Sequence, residues 1–317
     1  MNAPLSLAPN GRKSQKPRRS MNRDKRNEAM WGHLFTAPLA IGLLLFLAAP
    51  LGYAFYISLT EYDLFNAPKF VGMANYQKIF SSYGDEFWES VKNAFIFSIG
   101  VLISAVLALI VADLLCRVIH KKAMPILESI FFIPTICSGV AVAIAWNRMY
   151  DYMYGTINTL GKIFFHLDPV AWMDKEHAVG SIMFMSVLMG FGTSMLLYIS
   201  SINSVPDSYY EAAEIDGANH FQQFLHITLP QVSPITFYIL VTGIIGSLQG
   251  FTTYQVMTNG NPSNTMMPVL LIYKYSGGEY GSFYGYASAM AVVLGGIIIA
   301  LTVFQYALSK KWVYYES

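Results

Sequence analysis

Long stretches without any charged residue constrain this chain more than any other feature. Asp, Glu, Lys and Arg are all absent from residues 31–60, 95–112, 129–147, 178–206, 218–273 and 280–309. A helix needs roughly 20 apolar residues to cross the hydrocarbon of a bilayer. Only 12% of the 317 residues are charged, which is about half the fraction of an average soluble domain. The sequence therefore predicts an integral membrane protein.

The predicted fold is all-α, with six transmembrane helices at residues 32–59, 91–116, 125–148, 178–203, 233–256 and 284–309. If the N-terminus is cytoplasmic, 13 Lys and Arg residues lie inside and 7 lie outside. This bias follows the positive-inside rule and predicts that both termini are cytoplasmic. The 204–231 loop carries four acids and no Lys or Arg, so its cytoplasmic placement depends on the helix count alone.

We predict two regions, a basic disordered cytoplasmic arm at 1–31 and a transmembrane domain at 32–317. The arm holds eight Lys and Arg residues and little apolar content, which is typical of a disordered segment. The positive-inside rule already accounts for its charge. The sequence therefore gives no reason to expect a nucleic-acid partner.

The 204–231 loop has the pattern of two short helices joined by a glycine. Ser204 is a candidate N-cap for a helix over 206–218, and Gly217 is expected to end it in the left-handed conformation. Phe221, Phe224 and Leu225 have the spacing of one face of a second helix. An acidic helix would be repelled by anionic lipid, whereas membrane-surface helices are usually basic. The pattern therefore favours a protein partner over a lipid surface.

Ten residues of this loop resemble the EAA loop of ABC-importer permeases. They are Glu211, Ala212, Ala213, Asp216, Gly217, Ala218, Phe224, Ile227, Leu229 and Pro230. The resemblance extends over most of 34–311, and further motifs look like the carbohydrate branch, the sugar and glycerol-phosphate permeases. These motifs are Pro50-Leu51-Gly52-Tyr53, Ser58-Leu59-Thr60, Phe70-Val71-Gly72, Asn75-Tyr76, Thr258-Asn259-Gly260-Asn261-Pro262 and Tyr284-Gly285-Tyr286-Ala287-Ser288-Ala289. Asn261 departs from the family turn, which usually has two glycines before the proline.

The resemblance implies a type I ABC-importer permease fold, with a cytoplasmic coupling helix between transmembrane helices 4 and 5. It implies a bacterial-type inner membrane and several partners. These are a second permease subunit, which by family habit is a different chain, two cytoplasmic ATPases, an extracytoplasmic solute-binding protein and a sugar. In this family Glu211 would face the ATPase and Gly217 would make the turn. The 206–218 helix would couple ATPase closure to alternating access.

The chain is not expected to be an enzyme. It contains no Gly-x-x-x-x-Gly-Lys-Ser/Thr pattern, so ATP and Mg would be bound by the partner ATPase and this chain would hold no cofactor. No nucleophile–base constellation stands out. His220 and His226 have no second ligand pair at zinc spacing, so we expect no metal site. Asp113 and Glu128 are expected to snorkel or form ion pairs near the cytoplasmic face.

A path for sugar should be lined by hydrogen-bonding side chains and flat aromatic rings. Polar residues within the predicted spans are costly and often functional, although Ser and Thr there often bond backbone or a neighbouring helix instead. The candidates are Trp146, Asn147, Ser194, Ser247, Gln249, Tyr254, Gln255 and Ser288.

Other functions remain open at this point. Import of glycerol phosphate or a polyol by the same machinery would favour Arg or Lys in the path, and none is evident in the spans. An ion-coupled secondary carrier should show buried acids or inverted repeats with broken helices, but the spans hold almost no charge. A membrane-embedded enzyme lacks a catalytic cluster. A purely structural subunit would not account for the complete EAA pattern.

Overall fold

A computed structural model describes residues 23–118 and 123–314. The chain forms two compact units, one up to Tyr53 and one from Ala54 onwards. The first 22 residues of the predicted basic arm lie outside the described residues. Residues 23–31 were also assigned to the disordered arm, and that assignment was wrong, because they form the start of a helix.

The first unit, as far as it is described, is helical. It contains α1 (Arg23–Leu43), a π-helical turn (Leu44–Ala48) and the beginning of α2 (Ala49–Ser58), which continues into the second unit. Residues Glu28–Ser58 together are long and apolar enough to cross a membrane. This agrees with the predicted span at 32–59.

The second unit is built from helices and two short hairpins. The helices are α3 (Ala74–Ile79), α4 (Asp85–Val118), α5 (Met124–Ile136), α6 (Gly139–Met149), α7 (Thr156–Phe165), α8 (Ala178–Ile202), α9 (Asp207–Ile215), α10 (His220–Gln223), α11 (Leu229–Gln231), α12 (Ser233–Leu248), α13 (Thr252–Met257), α14 (Pro268–Tyr275) and α15 (Tyr284–Ser309). Antiparallel pairs join β1 (Thr60–Glu61) to β2 (Lys69–Phe70), and β3 (Ser276–Gly278) to β4 (Gly281–Ser282). Single 3-10 turns lie at 82–84 and 263–265.

The centre of the second unit is α4, which packs along α8 and α12, while α5 packs on α8. Glycine allows the closest of these approaches. A Cβ on Gly192 of α8 would lie 2.1 Å from the carbonyl oxygen of Phe131 in α5, and one on Gly243 of α12 would lie 2.4 Å from Val101 Cγ1 in α4. Small residues permit such contacts in membrane proteins, where van der Waals packing helps to drive helix association.

The third predicted span, 125–148, is not one continuous helix. It divides into α5 and α6, whose axes differ by 92°. Cys137 between them is extended, with φ −67° and ψ 148°, and Pro134 lies in the last turn of α5. Proline removes a helical hydrogen bond and is a common site of such breaks.

The fifth predicted span, 233–256, is also interrupted. The helical stretch His220–Gln231 meets α12 at an angle of 64°, and α12 ends at Leu248. Three residues, 249–251, then separate it from α13. In the described residues, therefore, four helices are long and apolar enough to span a membrane, and the two bent pairs bring the number to six.

Two buried asparagines form hydrogen bonds that hold the loops near the N-terminal end of α8. Asn75 Nδ2 donates to the carbonyl oxygens of Ser58 (2.9 Å) and Thr60 (2.8 Å). Asn93 Nδ2 donates in the same way to Ser263 (2.9 Å) and Met266 (3.0 Å). Buried backbone carbonyls need such partners. The Asn75 side chain thus joins the motifs at 58–60 and 70–76, because it satisfies two backbone carbonyls of the first motif.

An ion pair at the same end of the molecule gives a pH-dependent prediction. Lys274 Nζ lies 2.9 Å from Glu279 Oε2, and this hydrogen bond and charge hold the pKa of Glu279 below its usual value of 4.5. Because the folded-state pKa is lowered, the ion pair is intact above pH 4.5 and is lost as the pH falls through the lowered pKa.

We expect Lys274→Met to return the pKa of Glu279 to its usual value, as measured by NMR titration of 13C-labelled glutamate. Lys162→Met, which removes an exposed lysine of α7, is the control and should leave that titration unchanged. An unaltered Glu279 midpoint in Lys274→Met would contradict the assignment.

Candidate functional site

The α9 helix projects from the second unit with all of its residues at least partly exposed. It follows α8 after a short turn and begins at Asp207, with Pro206 before its first residue. Ile215 is 87% exposed. The three acids of α9, at 207, 211 and 214, and Asp216 directly after it are also exposed. The prediction that Ser204 caps this helix was wrong, because the Ser204 hydroxyl donates to the Ser201 carbonyl at the end of α8.

Gly217 ends α9 as predicted. Its φ is +80°, a left-handed conformation that costs little only for glycine. The Ala218 N–H donates to the Ala213 carbonyl (2.9 Å), and the Gly217 N–H donates to that of Glu214 (3.0 Å). These bonds form a Schellman-type end and satisfy carbonyls that would otherwise lack partners.

The second helix of the segment differs from the prediction. A capping box starts it, in which the side chains of Asn219 and Gln222 each accept a hydrogen bond from the other residue's backbone N–H. After α10 the chain forms a π-helical turn, Phe224–Thr228, so the expected apolar face is not formed. Phe221 is exposed, whereas Gln223 and Thr228 are the buried side chains. Phe224 is half-buried against the core.

A shallow groove of about 480 Å³ lies beside α9. It brings together part of the predicted set, namely Ala212, Ala213, Asp216 and Pro230, and adds Tyr209, His226, Ile227, Gln231 and Tyr314. Glu211 and Gly217 are exposed, Leu229 is also exposed, and Ala218 is partly buried. The exposed apolar and acidic side chains of α9 form a surface with the chemistry of a protein-binding site. Within residues 23–118 and 123–314, no group of three His, Cys, Asp or Glu could hold a metal ion.

A second cavity, of about 460 Å³, lies along α4, α8 and α12 and is called the central groove below. Three sequence candidates line it, namely Ser194, Ser247 and Tyr254. The Tyr254 ring packs edge-on against Phe97 at 4.9 Å between centroids, and the Ser247 hydroxyl donates to the Ala94 carbonyl (3.1 Å). Hydroxyl groups that the sequence analysis missed are those of Ser104, Ser186, Thr193, Tyr238, Thr242 and Thr253.

The sequence contains a pattern that predicts the lining of the central groove. In α8 the residues 186, 190, 193, 194 and 197 face it, and in α12 the residues 242, 243, 246 and 247 do so. Most are Ser, Thr or Gly, and their spacing of three and four residues is that of one helix face. A search for small and hydroxyl residues at helical spacing would have found both faces.

The remaining path candidates do not line the central groove. Asn147 Nδ2 donates to the carbonyls of Val256 (3.4 Å) and Met257 (3.1 Å) and so ties α6 to the end of α13. Trp146 packs against Tyr150 and Phe184. Gln249 is exposed just after α12, and Gln255 and Ser288 are partly buried elsewhere. The structure thus gives Asn147 and Trp146 packing contacts, and Gln249, Gln255 and Ser288 are not among the residues that line the groove.

Residues 123–314, which include α9 and most of the central groove, match the family model described as "Binding-protein-dependent transport system inner membrane component". This chain belongs to that family of permeases. The permease is 35% identical to the probable ABC transporter permease protein YesP of Bacillus subtilis, with 97% of this chain and 98% of YesP covered. It is 30% identical to the arabinooligosaccharides transport system permease protein AraP of the same organism, with 88% of each chain covered.

A solved structure has the same fold as the permease. It is a chain of the bacterial alginate ABC transporter in complex with an alginate pentasaccharide-bound periplasmic protein, with a TM-score of 0.78 and 22% identity. The comparison covers 92% of the permease and 98% of that chain. The predicted fold class, an all-α ABC-importer permease, is therefore confirmed. The permease is a multi-pass membrane subunit of a transporter and is not itself an enzyme.

Proposed function

We propose that the permease forms part of an ATP-driven importer for a sugar or oligosaccharide, and that α9 is the element that docks on a separate ATPase. The main observation in support of this proposal is the exposure of α9. A nine-residue helix with no buried residue gains little from packing on its own chain, and short helices are marginally stable alone. An external partner that covers Glu211, Ile215 and the neighbouring groove would account for its presence.

A sugar substrate is supported by the relatives and by the chemistry of the central groove. The relative AraP is an arabinooligosaccharides transport system permease protein. Among the described residues that line the central groove, none is Lys or Arg, while nine carry hydroxyl groups. Hydroxyls and aromatic rings suit a neutral polyol. A glycerol phosphate would favour a cation.

The proposed assembly places both termini in the cytoplasm, in agreement with the distribution of Lys and Arg. The number of spans then places α9 in the cytoplasm too. Two ATPases would bind ATP and Mg, and a solute-binding protein would deliver the sugar on the opposite face. A second permease subunit, by family habit a different chain, would complete the path. Closure of the ATPases would move α9 and open the path to the outside, and ATP hydrolysis would reset it.

The test is reconstitution of the permease with its partner permease, ATPase and binding protein, followed by ATP-dependent uptake of a labelled sugar panel. We expect Glu211→Ala combined with Gly217→Pro to reduce uptake by about tenfold or more, the scale of a typical coupling energy. Proline would remove the Gly217 N–H bond and forbid its positive φ.

The control is Glu176→Ala, which removes an exposed acid at the opposite end of α8, and it should leave uptake unchanged. Membrane insertion and subunit assembly are measured in parallel for every variant. Uptake that persists without the ATPase, or that follows an ion gradient, would refute the importer and favour a secondary carrier.

A further inference from the structure

Arg117, in the last turn of α4, is held in one orientation by its own helix. Its Nε donates to Asp113 Oδ2, one turn earlier, at 2.8 Å. The Arg117 side chain is 21% exposed and that of Asp113 is 16% exposed, so water and salt screen this pair less than a surface pair. The ion pairing expected for Asp113 is therefore confirmed, and it aims the rest of the guanidinium away from α4.

The free side of the guanidinium reaches the segment that follows α9. Its Nη1 donates to Gln223 Oε1 (3.0 Å) and its Nη2 donates to Thr228 Oγ1 (3.4 Å). The guanidinium carbon also lies 5.7 Å from the centre of the Tyr210 ring in α9, and the Tyr210 hydroxyl lies 3.1 Å from Thr228 Oγ1. A single cation thus joins α4 to α9, to α10 and to the π-helical turn.

The side chains that Arg117 contacts are buried, so breaking these contacts costs more free energy than at an exposed site. Gln223 is 2% exposed and Thr228 is fully buried. Among the described residues, Gln223 Nε2 has no hydrogen-bond partner, so the bond from Arg117 to Oε1 is what satisfies the oxygen of this buried amide. Removing a partner from a buried polar group carries a desolvation cost. Residues 207–228, from α9 through the π-helical turn, are called the α9 segment below. This segment cannot move away from Arg117 without breaking buried hydrogen bonds.

The other end of this connection is the central groove. Phe97, Gly100, Val101 and Ser104, on the same helix as Arg117, form one wall of that groove. Because α4 is continuous from Asp85 to Val118, a displacement of its Arg117 end is transmitted along a rigid element to the wall. Hydrogen-bond networks and rigid helices of this kind carry coupling between distant sites.

We infer that Arg117 is a positioning residue that ties the α9 segment to α4, so that movement of the docking surface is passed to the wall of the central groove. This inference depends on the proposed importer function. The planar fork of arginine serves three partners at once, whereas the single ammonium of lysine cannot reproduce that geometry.

The experiment compares Arg117→Gln, Arg117→Lys and Gln223→Met in the reconstituted transporter. Gln223→Met keeps side-chain volume while it removes both the acceptor and the unpartnered amide. Uptake and ATP hydrolysis are measured on the same proteoliposomes, and the readout is sugar transported per ATP hydrolysed. We expect hydrolysis to persist and this ratio to fall by about fivefold or more in Arg117→Gln. Gln223→Met should shift the ratio in the same direction.

Two further comparisons sharpen the test. Arg117→Gln combined with Gln223→Met should be no worse than Arg117→Gln alone, because the two side chains act through one contact. Lys310→Gln, which removes an exposed cation after the last turn of α15, is the control and should leave the ratio unchanged. Arg117→Lys should fall between the wild type and Arg117→Gln.

The possible outcomes separate the two proposals. A wild-type ratio in Arg117→Gln would overturn the positioning role while leaving the importer intact. A parallel loss of assembly, hydrolysis and uptake in Arg117→Gln and Gln223→Met would show a merely structural contact and would also overturn it. A wild-type complex that transports without the ATPase would refute the proposed function itself, whatever the variants do.

Discussion

Gly192→Ala should lower the free energy of unfolding of the purified permease by about 1–3 kcal/mol, the usual cost of overpacking a well-packed core. The added Cβ would lie 2.1 Å from the Phe131 carbonyl oxygen and 3.4 Å from Phe132 Cα. Both are backbone atoms, so no side-chain rotation can relieve the contact. Helix α5 would have to shift away from α8, and the edge-on packing of Phe131 on Phe191, 5.4 Å between ring centroids, would change with it.

Equilibrium unfolding in mixed detergent micelles, followed by circular dichroism, measures this effect. Gly180→Ala is a matched control on the same helix, since a Cβ there meets nothing within 4 Å. Alanine is the better helix former by about 1 kcal/mol, so the control should be neutral or slightly stabilising. Equal stability of the two variants would mean that α5 and α8 are not in the close contact described.

Gly285→Ala is expected to open the loops around residues 60–76. A Cβ at Gly285 would lie 2.0 Å from the Thr60 carbonyl oxygen and 3.3 Å from Asn75 Nδ2. That carbonyl accepts one of the two hydrogen bonds from Asn75, so the substitution pushes on the contact that orders both motifs. A cost of about 1–3 kcal/mol corresponds to a rise of roughly fivefold to 150-fold in the opened population.

Limited proteolysis reports this population when opening and closing are faster than cleavage. We expect cleavage within residues 60–76 to accelerate about tenfold in Gly285→Ala. Gly295→Ala, on the same helix and with nothing within 4 Å of the added Cβ, should be cleaved at the wild-type rate. Unchanged cleavage in Gly285→Ala would refute the ordering role of this glycine.

Local features of the sequence determined the helices and the turn after α9. Four of the predicted spans correspond to continuous helices, because the length of an uncharged apolar run is a property of consecutive residues. Gly217 was identified as the end of α9 for the same reason, since a left-handed residue is needed there and glycine supplies it at little cost. The resemblance of this loop to the EAA loop also pointed to the correct family.

Tertiary contacts decided where the spans break and which polar residues meet. The bend at Cys137 and the interruption at 249–251 lie within apolar runs, so hydropathy could not locate them. Asn147 was chosen as a path residue because it is polar, yet its partners at 256 and 257 lie far along the chain and fix it between helices. Arg117 was only one of the 13 Lys and Arg residues counted on the inner side, whereas packing places it between α4 and the α9 segment. A residue's type and the local pattern are set by the sequence, but its hydrogen-bond partners and burial depend on segments that only folding brings together.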